Sequence, residues 1–446
     1  MREYPAYKTS GVEWLEKIPS VWYLKKLKFK ASIQFSNVDK LSDESETPVF
    51  LCNYVDVYKN EKIHSGLNFM QATANVHEIK KFRIAKGDVI ITKDSESVDD
   101  IAVPALVIED FENVLCGYHL AQIKSKKDLS GEYLFRLFQS KNFNQNFESS
   151  ANGMTRYGLS VYSIKNVFVP IPSLEEQKSI VNFLDYKTGL IDKFIANRQK
   201  QQQFLKEQKA ALINKAVTKG INQNAKMKPS GIEWIGDVPE KWQLMKLKFT
   251  AKMMRGKFSH RPRNDARLYG GKYPFIQTGD VTKTEKYIST YSQTLNEWGY
   301  SVSKEFPCGT VVITISANIG DIAILNFNGC FPDSVVGFFS NTNVNEYLFY
   351  LLKSMKYVFI SESIEGTQLN LNVERLSSIK VALPEPMEQQ AILDFIKTET
   401  ATIDTLITKY QKQIELMQEY RTALISQAVT GKIDVRVWQP KKTTAL

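Results

Sequence analysis

The stretch SGVEWLEKIPSVWYLKKLKF, Ser10 to Phe29, returns as SGIEWIGDVPEKWQLMKLKF, Ser230 to Phe249. In the slightly longer frame of Tyr7 to Phe29 against Met227 to Phe249, 12 of 23 residues are identical, where average composition gives about one or two by chance. This return marks an internal duplication, and it decides the fold before any element is assigned. With 446 residues and a period near half that length, the chain reads as two similar halves and not as one large core.

A second match pairs Glu176–Thr218 with Glu388–Thr430, 18 of 43 residues being identical, and the two copies run on alike as AVTKGI and AVTGKI. Ser173 stands three residues ahead of Glu176 in a capping-box pattern, and the second copy begins through Pro384 and Pro386. Gly220 and Gly431 suit left-handed helix ends. Apolar residues recur every seven positions in the same phase: Leu184, Ile191, Leu205 and Leu212, with Arg198 interrupting, then Ile396, Ile403, Tyr410, Met417 and Leu424. Phe194, Ile195, Ile407 and Ile414 supply the companion positions of an a/d seam, so each helix needs a helical partner, the obvious one being its own copy. At 1.5 Å per residue such a helix spans roughly 65 Å, which makes it a spacer as much as a packing element.

The segments ahead of the helices correspond more weakly: YVDV at Tyr54 with TGDV at Thr278, GDVIIT at Gly87 with GTVVIT at Gly309, DIAV at Asp100 with DIAI at Asp321, and EYLFRLFQS at Glu132 with EYLFYLLKS at Glu346. Short β-branched runs punctuated by Gly, Asp and Asn, then one amphipathic helix, predict mixed domains dominated by strands. The expected fold is therefore α+β, with two pseudo-symmetric strand-rich domains at 1–172 and 223–386 and two long antiparallel coiled-coil helices at 173–222 and 387–440. Frames match while the stretches between them diverge, so the two modules share a scaffold and differ in what they touch.

With 58 basic against 48 acidic residues, a net charge of +10 and pI near 9.1, the balance favours a polyanionic partner. The segment RGKFSHRPRNDARLYGGKY puts Arg255, Lys257, Arg261, Arg263, Arg267 and Lys272 in one loop-like stretch whose only acid is Asp265. Guanidinium forks interleaved with Phe258, Tyr269 and Tyr273 suit phosphates and guanine edges. In the first half HEIKKFRIAKGD carries Lys80, Lys81, Arg83 and Lys86, though Ile79, Phe82 and Ile84 fit a strand with one wet face equally well. A Gly-polar turn precedes each long helix, offering Thr155, Arg156 and Tyr157 in one half and Thr367, Gln368 and Asn370 in the other. Amides pair bidentately with adenine and arginine with guanine; the same turns also read as ordinary caps and hairpins.

Catalytic templates are missing together. Cys52, Cys116, Cys308 and Cys330 form no C-x-x-C pair, and His64, His77, His119 and His260 form no H-x-x-x-H pattern, so free thiols and no metal site are expected. Gly271-Lys272 is followed by Tyr273, which is no phosphate loop. There is no G-x-S-x-G elbow, no Asn/Asp-Pro-Pro turn ending in an aromatic residue, and the PDS at Pro332 lacks a nuclease-type acid-x-lysine partner. A nuclease or methyltransferase with an unfamiliar site is the alternative from another class, and a coiled-coil scaffold without sequence preference is a second. The opening MREYPAYKTSG has no apolar core of signal-peptide type, and VVITISANIGDIAIL is broken by polar residues before membrane-spanning length. No membrane partner and a cytoplasmic location are expected.

The opening SGIEWIGDVPEKWQLMKLK, the P-x-P…EQ pattern at Pro170 to Gln177 and Pro384 to Gln389, and the LI-x-x-AVT helix ends resemble the specificity subunit of type I restriction-modification systems, over essentially the whole chain. The resemblance implies two target-recognition domains, each reading one half of a bipartite, interrupted sequence in double-stranded DNA. The helices would act as a ruler and dock methyltransferase subunits, two of them, with restriction subunits joining through the complex. It further implies no catalytic residue and no cofactor on this chain, S-adenosylmethionine, ATP and Mg belonging to partner subunits. Trp14, Trp22, Trp234 and Trp242 are expected as core anchors of the repeated opening segments.

Overall fold

The computed structural model describes residues 2–153, 155–363 and 370–440. Its contacts divide the chain into two units, Met1–Gln199 with Gln411–Leu446, and Lys200–Tyr410. The division falls inside both long helices, Leu174–Lys219 and Pro386–Val429, so each unit joins one strand-rich domain to halves of both.

In the first unit the opening hairpin Tyr7–Val12 and Leu15–Pro19 is followed by Tyr23–Lys26, which pairs antiparallel with Phe168–Ile171, the strand that feeds the first long helix. The domain body is a five-stranded sheet in the order Ala31–Phe35, Leu120–Ser125, Val89–Thr92, Pro104–Val107 and Lys62–Ile63, beside a three-stranded sheet of Val114–Cys116, Thr47–Cys52 and Met70–Ala74. Val89 and Ile91 join one core with Tyr133, Leu134 and Leu137 of the helix Gly131–Phe138, while Ile90 joins another with Leu51 and Phe82. A strand buried on both faces reads as an unbroken apolar run, as VIIT does.

The second unit repeats the plan. Gln243–Lys246 pairs with Lys380–Leu383, and the five-stranded sheet runs Lys252–Arg255, Val335–Phe339, Val311–Thr314, Ile322–Leu325 and Tyr287–Ile288. Ile90 stands opposite Ala105 as Val312 stands opposite Ala323, which makes Pro104 equivalent to Ile322. The DIAV and DIAI match is thus out of register. Asp100 closes the short turn Val98–Asp100, whereas Asp321 directly precedes its strand. The side-chain period of two fixes register where both faces are buried, and the extra residues of the first domain go into its loop.

The helix starts explain the repeated Glu-Gln. Ser173 Oγ accepts from the Glu176 amide at 3.3 Å, but the Glu176 carboxylate accepts from Tyr4 Oη at 2.6 Å and does not return to Ser173. Gln177 is buried, donating to the carbonyls of Pro172 and Asp128 at 3.0 and 2.9 Å and accepting from the Ser130 amide at 2.8 Å. Gln389 does likewise, donating to the Pro384 carbonyl and the Asn343 side-chain Oδ1 at 2.9 and 2.7 Å and accepting from the Val344 amide at 2.9 Å. At the other ends, Gly220 and Gly431 take φ of +75° and +72°, the left-handed conformation glycine adopts without a Cβ penalty.

Each domain is also tied to the far end of the opposite helix: Tyr133 Oη donates to the Val429 carbonyl at 3.1 Å, and Tyr347 Oη to the Val217 carbonyl at 3.0 Å. Trp22 and Trp242 are fully buried, and Trp14 and Trp234 pack half-buried against the same cores. In the second unit the helix halves run antiparallel, Gln202 meeting Ile407 and Lys209 meeting Asp404. Along the seam Leu184, Ile191, Ile396, Ile403 and Leu424 are buried, but Leu205, Leu212, Tyr410 and Met417 only half so. Of the buried ones, Leu184, Ile191, Ile396 and Leu424 also belong to the domain cores, whereas Ile403 is buried without joining either.

Candidate nucleic-acid interface

In the first domain the turn before the long helix folds back on the central strand's end: Tyr157–Gly158 pairs antiparallel with Asp94–Ser95. That pairing carries Arg156 onto Asp94, with Nη2 at 2.8 Å and Nε at 3.1 Å from Oδ1. The same carboxylate takes Lys93 Nζ at 2.8 Å and lies 2.7 Å from His119 Nδ1. Lys93 Nζ stands 4.6 Å from the ring centre of the exposed Tyr118, whose edge meets His119. Asp94 is largely enclosed by these partners, its side chain 16% exposed, whereas Arg156 remains 49% exposed. Thr155 is exposed beside it and Tyr157 half-buried.

The second domain builds a counterpart at the same place. Gln122 stands opposite Ile90 as Gly337 stands opposite Val312, so Tyr118 and His119 correspond to Asp333 and Ser334. Arg263 Nη2 pairs with Asp333 Oδ1, Arg261 Nη2 lies 3.7 Å from Oδ2, and Arg255 Nε donates to the Asp333 carbonyl at 2.6 Å. Arg261 Nη1 also donates to the carbonyls of Phe258 and His260 at 2.7 and 2.8 Å. Asn370 bridges to Ser316, which the strand register makes the equivalent of Asp94. In both domains, then, the turn ahead of the helix meets the end of the same strand. Thr367 and Gln368 lie outside the described residues.

Three expectations change on folding. The basic segment is not one loop: Arg255 ends the strand Lys252–Arg255 and Lys272 lies within Tyr269–Phe275, with Phe258, Leu268 and Phe275 as a small buried core. Nor is Asp265 the only acid within reach of its cations. Asp333 arrives from a distant loop, and Glu297 pairs with Lys272 at 2.9 Å. Arg267 turns to Asp265, with contacts of 3.0 and 2.8 Å, and holds that carboxyl well below its usual range. Lys257 is exposed and makes no ion pair among the described residues. Finally, the stretch carrying Lys80 and Lys81 is the helix Val76–Phe82 and not a strand, capped by Asn75 in a box with Glu78, with Arg83 at its C-cap. Ile79 and Phe82 sit three apart on its inner side, a helical spacing that the nearby Ile84 disguised as alternation. Lys80, Lys81 and Arg83 are exposed, and among the described residues no hydrogen bond or ion pair joins them to the Asp94 cluster.

Sequence reasoning missed Asp94, His119, Lys93 and Tyr118, and it weighed Asp333 only as a nuclease acid. One signal was available, since Lys93 and Asp94 directly follow the repeated GDVIIT. What it could not supply was that a turn some sixty residues on closes over that strand end.

Residues 45–206 and 239–416 match the family model of the type I restriction modification DNA specificity domain. The chain belongs to the family of type I restriction-modification specificity subunits. A putative MjaX specificity subunit of Methanocaldococcus jannaschii is 26% identical over 432 residues, covering 95% of this chain and 92% of the relative. The MjaVIII specificity subunit of the same organism is 25% identical over 373 residues, covering 80% and 81%. Among solved structures, a chain from work on complex assembly and conformational transition of the type I R-M system superposes with a TM-score of 0.70 at 17% identity, covering 93% of this chain and 99% of that one. The HsdS subunit of Thermoanaerobacter tengcongensis gives 0.50 at 17% identity, covering 96% and 100%. At such identities the structural likeness speaks for the fold. The family match makes this chain a non-catalytic DNA-recognition component with two recognition domains. Among the described residues no helix is long and apolar enough to cross a membrane.

Proposed function

We propose that each domain reads one half of a bipartite, interrupted target in double-stranded DNA, with recognition domains at 1–172 and 223–386 and spacer segments at 173–222 and 387–440, whose helices are Leu174–Lys219 and Pro386–Val429. The observation that carries this reading is the recurrence of an exposed, acid-held arginine cluster beside the same strand pair in both domains, Arg156 on Asp94 just past the central strand and Arg261 with Arg263 on Asp333 just ahead of the strand paired with its counterpart. Two related domains read two half-sites as a symmetric dimer does, and a stiff spacer fixes the gap. Arg156, Arg255, Arg261 and Arg263 face base edges and phosphates, with Thr155, Tyr157 and Asn370 as further readers, and Thr367 and Gln368 join them on the strength of their sequence alone. Lys80, Lys81, Arg83, Lys257 and Arg267 serve the phosphate backbone.

The helices dock two methyltransferase subunits, and restriction subunits join through that complex. S-adenosylmethionine, ATP and Mg sit on those partners, and the assembly works in the cytoplasm. Mapping modified bases in a methylation-free bacterium carrying this chain with methyltransferase subunits tests the reading. Modification at two defined half-sites with a constant gap is expected. An uninterrupted or undefined target would overturn it.

A further inference from the structure

The two arginine clusters share an unexpected member. A protein that needs only phosphate affinity gains nothing from a carboxylate at its contact surface, because an acid there repels the polyanion. Yet Asp94 accepts two guanidinium hydrogens of Arg156, at 2.8 and 3.1 Å, as well as Lys93 at 2.8 Å. In the other domain Asp333 takes Arg263 and Arg261 through its two carboxylate oxygens and Arg255 through its carbonyl. The two acids come from different positions, Asp94 from the strand end and Asp333 from the loop equivalent to Tyr118, and both reach the same place. A free arginine swings over many rotamers and takes whichever phosphate is near; an arginine held through one edge keeps its remaining donors aimed in one direction. Arg156, 49% exposed on an acid 16% exposed, has that arrangement.

We propose that Asp94 and Asp333 are specificity-determining positioning residues, which aim arginine forks at guanine edges and penalise binding wherever phosphate alone is offered. The inference rests on the reading of each domain as a half-site reader, and it adds a sign. Removing the acid strengthens binding to unrelated DNA while discrimination is lost.

The test uses the full-length chain with its methylome-defined target duplex, versions of that duplex with each half-site substituted in turn, and a random duplex of the same length at fixed salt. Asp94→Asn is expected to bind the random duplex about two- to tenfold tighter, since one repulsive charge is gone. The penalty for substituting base pairs in one half-site, about 5- to 150-fold per position for a specific contact, is expected to fall to near unity, with the other half-site unaffected. Asp333→Asn is expected to do the same for the opposite half-site. Arg156→Ala is expected to flatten the same half-site as Asp94→Asn but to weaken random-duplex binding, and this opposite sign separates aiming from holding the fold. Undiminished discrimination in Asp94→Asn overturns the inference, as does a parallel loss of discrimination and random-duplex affinity. A wild-type chain without preference for the methylome-defined duplex overturns the inference alone, whereas a methylome without two defined half-sites removes the half-site reading and the inference with it.

Discussion

Where each domain meets the helices, the two units differ in several charges, Glu61 and Asp185 of the first standing where the second has Lys286 and Lys397. In the first, the buried Arg136 pairs with Asp185 at 2.5 Å and lies 4.0 Å from Glu61, and Glu61 pairs with Arg421, which also reaches Asp192 at 3.0 Å. That chain of alternating charges crosses from the domain to both helices. In the second unit the strand register puts Lys286 where Glu61 stands, and the sequence repeats put Tyr350 where Arg136 stands and Lys209 where Arg421 stands. Lys286 turns inward to Glu346 and to Tyr350 Oη at 3.2 Å, while Lys209 pairs with Asp404 of the paired helix, at 2.6 Å. Burial and the surrounding lysines, Lys209 among them, lower the pKa of Lys353 at this junction. The apolar anchors are duplicated faithfully and the ionic ties are not. Packing is what the scaffold requires, whereas ion pairs add little and drift.

Self-pairing of a half-chain breaks or sharpens this comparison most. In a fragment from Met227 to Leu446, Tyr347 of one copy would find Val429 of the other in place of Val217, and Lys286 would face Arg421 in place of Lys209. Both exchanges keep residue type or charge sign. The fragment is therefore expected to dimerise and, with methyltransferase subunits, to direct modification of a palindromic interrupted site. A monomer in analytical ultracentrifugation would mean that the two units are not interchangeable at their junctions.

Next in size is the spacer. One heptad added to each helix near Gln201 and Gln413 keeps the seam in phase and lengthens each by about 10 Å. At about 3.4 Å per base pair the recognised gap should grow by roughly one to three base pairs, with the half-sites unchanged. Methylome sequencing reads this directly, and an active complex with an unaltered gap would rule out the ruler.

A third experiment asks whether the exposed arginines of the second domain carry phosphates. Arg261→Ala with Arg263→Ala is expected to weaken binding roughly tenfold and to flatten the salt slope by about one to two units. A salt series with no change would place these forks in solvent.

Smaller still are stability differences between the helix ends. A Cβ on Gly431 would stand 2.4 Å from Pro19 Cδ, while one on Gly220 would find nothing nearer than 3.4 Å. Gly431→Ala should cost about 2–4 kcal/mol and Gly220→Ala about 1 kcal/mol, both carrying the left-handed penalty and only the first a clash. Thermal unfolding of the two variants measures the gap. Least of all, Glu61→Lys copies the second unit's junction into the first and should cost about 1 kcal/mol, since Glu61 is half exposed. A loss several times larger would make the ionic chain a principal support of the first domain.

The duplication, the long helices and the Trp and Gly anchors were legible because they depend on local pattern: a seven-residue stripe, a repeated opening, a residue able to take positive φ. The buried Gln177 and Gln389 were not, since the start was read as a box of Ser173 with Glu176. The family resemblance rested on the same openings and ends, with Pro172, Gln177 and their copies as parts of a pattern. The site was legible only in part. Arg156, Arg261 and Arg263 stood out as cations in turn-forming segments, but nothing near them in sequence showed which acids they would meet. The helical stretch at Lys80 was misread for a related reason, as Phe82 and Ile84 face the same core from different elements.

What the sequence by itself determined is the plan: two domains, two spacer helices, and the glycines that end each helix. Those follow from periodicity and backbone preference, which act over a few residues. What only the tertiary structure decided is the pairing of distant charges: Arg156 with Asp94, Arg263 with Asp333, Arg421 with Glu61. Such pairs depend on which loop closes over which strand end, and that is fixed by the burial of apolar faces far from the charges themselves.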